Sequence, residues 1–453
     1  MTSYDSFMDT RIQWIGLVPS HWARHRIKYD LLSSSAGVWG NEERGDSNDI
    51  PCFRIADYNY EKGIVKNNEP TIRNIDKKQQ EGRILHFGDL LIEKSGGGDV
   101  APVGRVVRFQ YTIKAVCSNF IHSITVNEKK IDKNFLYYYF NYLYGNKVNL
   151  LFFNQTTGIQ NLKVSYYLAQ TFYAPPINEQ RLIAEYLDGE CKKIDNLISK
   201  YTKRIELLSE LRKTIVSHSV TKGLNSSSKM VDSHVNSIGF IPEHWTVCQI
   251  RYILMTGKEG IKIGPFGSSL TGKVSGDGEY KVYGQWNIID NDFSAGTAYV
   301  EEDTFSDLAS YQVISGDILI SMMGTVGKCA IIPDNIQKGI MDSHVVKARL
   351  NTNKMDKDYF ALMYDKDNSD VVFAQINEVK KGSIMDGLNS SLIKSLRICV
   401  PPVEEQREIV AAVKVQTKMI DLALKKEDKQ IKLLKEYKTA LITEVVTGKR
   451  KVY

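Results

Sequence analysis

The chain has 453 residues, 42 % of them hydrophobic and 25 % charged, with a formal charge of +6 when histidines are neutral. This ordinary globular composition excludes a disordered, collagenous or disulfide-framework protein. At roughly 100–200 residues per domain, two to four domains are expected. The small basic excess permits nucleic-acid binding without requiring it, because clustering decides.

At the N-terminus, Met1-Thr2-Ser3-Tyr4-Asp5 has no basic stretch leading into an apolar run, so no signal peptide is expected. Nor does any uncharged apolar run approach the roughly 20 residues that cross a bilayer. The six cysteines (Cys52, Cys117, Cys191, Cys248, Cys329 and Cys399) form no Cys-x-x-Cys pair. That spacing predicts free thiols, no zinc site and a cytoplasmic location.

The sequence then repeats itself. Ile15-Gly16-Leu17-Val18-Pro19-Ser20-His21-Trp22 returns as Ile238-Gly239-Phe240-Ile241-Pro242-Glu243-His244-Trp245, an offset of 223 (15 to 238). Gly88-Asp89-Leu90-Leu91-Ile92 returns as Gly316-Asp317-Ile318-Leu319-Ile320, and Asp132-Lys133-Asn134-Phe135 as Asp356-Lys357-Asp358-Tyr359. Pro175-Pro176-Ile177-Asn178-Glu179-Gln180-Arg181 matches Pro401-Pro402-Val403-Glu404-Glu405-Gln406-Arg407 at an offset of 226 (175 to 401). One long unit has been duplicated.

The first part of each unit, residues 15–174 and 238–400, mixes short strand-like runs with Gly-rich turns. Strands are expected at 89–92, 105–109 and 329–332, and helices at 135–140 and 359–364. The second part, 178 to about 220 and 404 to about 446, is helical. The Pro-Pro pair marks its start, and Glu179, Glu404 and Glu405 place negative charge where the helix dipole favours it.

A heptad runs along each helix. Ile194, Tyr201, Leu208 and Ile215 recur every seventh residue with Cys191, Ile198 and Ile205 between them; the second helix carries Ile420, Glu427, Leu434 and Leu441 with Leu424 and Ile431. This spacing predicts a coiled coil rather than two separate amphipathic helices. An entire mixed domain lies between the helices, which favours antiparallel pairing. Glu427 either fixes register or marks a solvated edge of the seam.

Enzyme motifs fail one by one. Gly267-Ser268-Ser269-Leu270-Thr271-Gly272-Lys273-Val274 matches G-x-x-x-x-G-K but has Val where Ser or Thr must reach Mg²⁺. Gly96-Gly97-Gly98-Asp99-Val100-Ala101 matches G-x-G-x-x-A, yet Pro102 and Gly104 prevent a following helix. Neither Pro-Pro pair has the Asn/Asp and aromatic neighbours of an adenine methyltransferase loop. Glu279-Tyr280-Lys281 lacks the Pro-Asp partner of a nuclease, and the repeated His-Trp reads as packing where the chain enters each domain.

The mixed parts do carry Gly-rich loops with basic and amide side chains. Glycines admit close backbone approach, lysine and arginine neutralise phosphates, and amides and guanidinium groups read base edges. The candidate DNA contacts are Lys94, Arg105, Arg108, Gln155, Gln160 and Lys163 in the first copy. In the second they are Lys262, Ser268, Lys273, Gln285, Asn287, Lys328, Lys380 and Lys381.

Taken together, the Pro-x-His-Trp, the Gly-Asp-Leu/Ile-Leu-Ile and the doubled Pro-Pro-x-x-Glu-Gln-Arg leading into a long helix resemble the DNA specificity subunit of type I restriction-modification enzymes. The resemblance implies an α+β chain with two mixed α/β target-recognition domains (1–177 and 238–402). Two long antiparallel coiled-coil helices (178–224 and 403–453) and a linker (225–237) complete it, as an internal pseudo-twofold duplication. It also implies double-stranded DNA as ligand, two methyltransferase subunits docked on the helices, and restriction subunits joined through them. The chain itself would have no catalytic residue, metal or cofactor, and S-adenosylmethionine, ATP and Mg²⁺ would serve the partners. A helix of about 43 residues is roughly 65 Å long, or about 19 base pairs, which suits a split site. The two sets of loops differ, so an asymmetric target is expected. The alternatives are a nucleotide-binding enzyme using Gly267 to Lys273, or a two-domain adaptor that binds only proteins.

Overall fold

The computed structural model describes residues 4–66, 69–98, 100–156, 159–381 and 387–453. The Gly-Asp landmark opens the central strand of each mixed domain, Leu90–Glu93 and Ile318–Ser321, every residue of which is buried. A strand's side chains alternate between two faces. Leu90 and Ile92 therefore enter one core and Leu91 a second, as Ile318 and Ile320 do against Leu319. The aspartate anchors the turn: Asp89 accepts from His86 N and Thr125 Oγ1 (both 2.7 Å), and Asp317 accepts two bonds from Arg349.

Each central strand has the same antiparallel neighbours. Leu31–Ala36, Ile121–Val126, Leu90–Glu93 and Val106–Arg108 lie in that order in the first domain. Ile261–Ile263, Val345–Ala348, Ile318–Ser321 and Cys329–Ile331 do so in the second. A smaller mixed sheet accompanies each, around Asp49–Phe53 and Tyr280–Tyr283. The helices that follow begin at Lys133 and Lys357, capped by Asp132 and Asp356 through backbone N–H groups. These caps explain the repeated Asp-Lys-x-aromatic.

The long helices span Ile177–Lys222 and Val403–Val446, within two residues of the 178–220 and 404–446 expected from the residue pattern, but the second stops well short of the 453 given with the resemblance. The Glu-Gln that opens each one is a clamp. Gln180 accepts from Asp132 N (2.7 Å) and donates to Pro175 O (2.8 Å). Gln406 repeats this with Asp356 N (2.7 Å) and Pro401 O (2.8 Å). Glu179 receives Trp22 Nε1 (3.1 Å), Tyr4 OH (2.9 Å) and His21 Nε2 (2.9 Å), and Glu405 receives Trp245 Nε1 (3.0 Å) and His244 Nε2 (2.9 Å). The aromatic-histidine pair is thus stitched to the start of the helix that follows its own domain.

Contacts divide the chain into two units, Met1–Thr202 with Asp428–Tyr453, and Lys203–Glu427. The division runs through the long helices, because one end of each packs in each unit. In the first unit Ile183, Leu187 and Ile194 share a core with Leu441, Ile442 and Val445. In the second, Val216 and Val220 share one with Ile409, Val410 and Val413. The pairing is antiparallel: Arg204 meets Glu427 (2.9 Å) and Arg212 meets Asp421 (2.7 Å), so partner numbers fall as residue numbers rise. Within the first unit Asp195 meets Lys438 (2.6 Å).

The heptad side chains take the inner positions. Ile194, Ile420 and Leu441 are buried, and Ile198, Tyr201, Ile205, Leu208, Ile215, Leu424, Ile431 and Leu434 are partly so. Glu427 is no solvated edge, being only 4 % exposed. Met230–Asp232, in the stretch read as linker, pairs with Phe240–Pro242 and matches the opening hairpin Phe7–Asp9 with Leu17–Pro19. Among the described residues no helix is long and apolar enough to cross a membrane.

Candidate nucleic-acid interface

In the first domain two candidate loops far apart in sequence form one surface. Lys94 N and Ser95 N donate to Phe120 O (2.8 and 3.1 Å), and Leu162 N donates to Lys94 O (2.8 Å). Ser95–Gly96 pairs with Ile159–Leu162, which in turn pairs with Phe153–Thr156. Ser95 Oγ donates to Asn161 Oδ1 (2.7 Å). On this platform Gln155 and Lys163 are exposed and Lys94 is half-buried. Burial, helped by Lys94, pushes the neighbouring His122 down to about 4.

Three first-copy candidates turn inward instead. Arg105 forks onto buried Glu93 (Nε–Oε2 2.8 Å, a second bond of 3.2 Å) and lies 3.7 Å from the Tyr60 ring centre. Arg108 binds Asp188 (3.0 Å) and Asn134 (3.2 Å), tying its strand to the long helix. Gln160 is 2 % exposed and accepts from Val103 N (3.2 Å). The sequence displayed their polarity but not the buried partners that use it.

The second domain builds a corresponding surface from other residues. Gln285 Oε1 accepts from Met322 N (3.1 Å) and Met323 N (3.0 Å), fixing the loop after the central strand. Met322 N also donates to His344 O (3.3 Å), and Leu388 N to Met322 O (3.0 Å). Ser268 and Lys273 are exposed, and Lys262 lies 4.3 Å from the Tyr311 ring centre.

Here too some candidates are internal. Asn287 is fully buried and closes its own turn with Gly284 N (2.9 Å), Asp292 O (2.8 Å) and Ala295 O (3.2 Å). Lys328 pairs with Asp365 (3.3 Å) and Asp367 (2.9 Å). Lys380 and Lys381 end the helix Val371–Lys381, and their side chains lie outside the described residues. The apparent P-loop holds one helical turn, Gly267–Leu270. Lys281 of the nuclease-like triplet is buried and donates to Phe293 O (3.0 Å) and Ser294 O (2.7 Å).

Two further loops in each domain border this surface, and of these the sequence reading picks out only the Gly-rich stretch at 264–267. Residues 118–120 and 342–344 adjoin the loops just described, and 37–40 and 264–267 adjoin them in turn. Their signal was present: Gly37-Val38-Trp39-Gly40 and Gly264-Pro265-Phe266-Gly267 share a Gly-x-aromatic-Gly pattern.

This doubled scaffold has recognisable relatives. Residues 22–207 and 257–433 match the family model described as type I restriction modification DNA specificity domain. The MjaX specificity subunit of Methanocaldococcus jannaschii is 24 % identical over 97 % of this chain and 96 % of its own length. The EcoBI specificity subunit of Escherichia coli is 22 % identical, covering 88 % of this chain and 80 % of that one. A solved chain from work on complex assembly and conformational transition of the type I R-M system shares the fold. Its TM-score is 0.60, with 13 % identity, over 95 % of this chain and 98 % of that one. The chain therefore belongs to the family of type I restriction-modification DNA specificity domains.

Proposed function

We propose that this chain is the non-catalytic DNA-recognition subunit of a type I restriction-modification complex. Each mixed domain reads one half of a bipartite, asymmetric site, and the paired helices hold two methyltransferase subunits and, through them, the restriction subunits. S-adenosylmethionine, ATP and Mg²⁺ belong to those partners, and the complex works in the cytoplasm. Residues 1–177 and 238–402 are the reading domains on this view.

The observation that carries the reading is one strand framework presenting two different loop sets. Ser95, Gln155 and Lys163 stand on the first, and Gln285, Met322 and Met323 on the second. A shared frame with unlike loops suits two different base sequences. The modest +6 charge fits a subunit that specifies the site while its partners contribute much of the grip on phosphate. Mapping methylated adenines in the source genome with and without this gene tests the role. Loss of one split motif is expected, and an unchanged methylation pattern would overturn it.

A further inference from the structure

We propose that Trp39 and Phe266 are equivalent apolar contacts to the DNA, one for each half of the split site, placing an aromatic ring against bases rather than phosphates. The inference rests on the DNA-recognition role proposed above and deepens it. It starts from the Gly-x-aromatic-Gly pattern, whose members match at an offset of 227 (37 to 264).

The two loops sit in the same cradle. Gly37 N donates to Ile121 O (3.0 Å) and Gly264 N to Val345 O (2.8 Å), at the start of equivalent strands. A Cβ on Gly37 would overlap the carbonyl oxygens of Cys117 and Ser118, and one on Gly264 that of Asp342. Only glycine admits this approach. Each aromatic loop is thereby pressed against the turn at 118–120 or 342–344. That same turn is bonded to Lys94 and Ser95 in one domain and to Met322 in the other. The rings thus belong to the loop edge that carries the candidate base-reading residues.

The rings face solvent. Phe266 is 86 % exposed and Trp39 36 %. Burial of so large an apolar group is among the most favourable moves a side chain can make, and here it is forgone at Phe266 and left incomplete at Trp39. Trp39 is held ready by Arg73. Its guanidinium lies 4.5 Å from the ring centre and donates to Trp39 O (3.0 Å) and Gly40 O (3.2 Å).

A protein-docking patch would be a contiguous apolar area; here the chain running on from each ring is polar, with Phe120 and Met323 as exposed apolar groups on the adjoining loops. Asn41, Glu42, Glu43 and Arg44 are exposed beyond Trp39, as are Ser268, Thr271 and Lys273 beyond Phe266. A ring offers nothing to a phosphate, but it stacks on bases or wedges between base steps.

The test uses the full chain assembled with its methyltransferase subunits and a fluorescent duplex bearing the mapped methylation site. Trp39→Ala and Phe266→Ala should each weaken binding about tenfold or more. The salt dependence should keep its slope, because no counterion-releasing charge is removed. Lys273→Ala is the control that should lower the slope. Phe266→Trp should retain affinity, and its added fluorescence should be quenched by the duplex. If wild type binds and the correctly melting alanine variants bind equally well, this inference is overturned while the recognition role stands. A change of slope in the alanine variants would also overturn it. If wild type binds no defined duplex, the recognition role itself falls.

Discussion

Trp22 Nε1 donates to Glu179 Oε1 across 3.1 Å, joining the opening hairpin of the first domain to the first turn of its long helix. The carboxylate side chain is 11 % exposed there, against 26 % for Glu405 in the second copy. Replacing Glu179 by Ala orphans the indole N–H and should cost about 1–3 kcal/mol in urea unfolding of the first unit. Glu405→Ala should cost less.

The same site carries a pH signature. Burial opposes the Glu179 charge, but hydrogen bonds from Tyr453, His21, Tyr4 and Trp22 outweigh it and hold the carboxyl below its usual 4.5. The charged form is favoured in the fold, so its stabilisation is complete above pH 4.5 and is lost as pH falls through the lower folded value. Acid titration of Glu179→Gln should lose this part of the decline.

His122 gives the opposite residue type with the same direction. Its pKa falls from 6.5 to about 4, chiefly through burial. Between those values the unfolded chain holds the extra proton, so acidification from pH 6.5 towards 4 should progressively destabilise the first unit. His122→Gln should flatten that region of the stability curve, as read by chemical denaturation at successive pH values.

Arg105, itself partly exposed, forks onto the buried Glu93 carboxylate. Arg105→Ala leaves Glu93 as an uncompensated charge and should cost roughly 3–5 kcal/mol, whereas the paired change to two glutamines should recover much of that. Thermal melting of the three variants distinguishes this structural role from a phosphate contact.

Exposed Lys163 and Lys273 should behave differently. Alanine at either is expected to leave melting unchanged and to lower the magnitude of the salt slope of DNA binding by about one. Binding titrations at several salt concentrations provide the measurement.

Leu441 is 1 % exposed within the first unit's core. Leu441→Ala should destabilise that unit by about 2–5 kcal/mol. The second unit's transition should stay in place, so the transitions of the two units should separate relative to wild type.

The duplication, the central strands and the long helices were legible because they rest on local pattern. Gly88-Asp89-Leu90-Leu91-Ile92 announces a buried strand, and the heptad through Ile194 and Ile420 announces a seam. The helix clamp was visible as a motif but not as a mechanism, since Gln180 meets Asp132 N and Glu179 meets Trp22 only in three dimensions. The site was read least well. Arg108, Asn287 and Lys328 look available in sequence, yet Asp188, a local turn and Asp365 occupy them. Conversely, nothing local marked Trp39 or Phe266 as exposed, because their exposure depends on a glycine's approach to a strand more than 70 residues away.

The sharing of helix ends sets an order of completion on the ribosome. Residues 4–202 emerge first, but their core lacks Leu441, Ile442 and Val445 until the final segment of the chain has been made. Tyr4 itself meets Tyr453 OH at 3.4 Å, nearly the whole chain away. The second unit has all its parts once residue 427 is released. The unit begun second is therefore the first that can close, and residues 4–202 wait through its translation with an open apolar face.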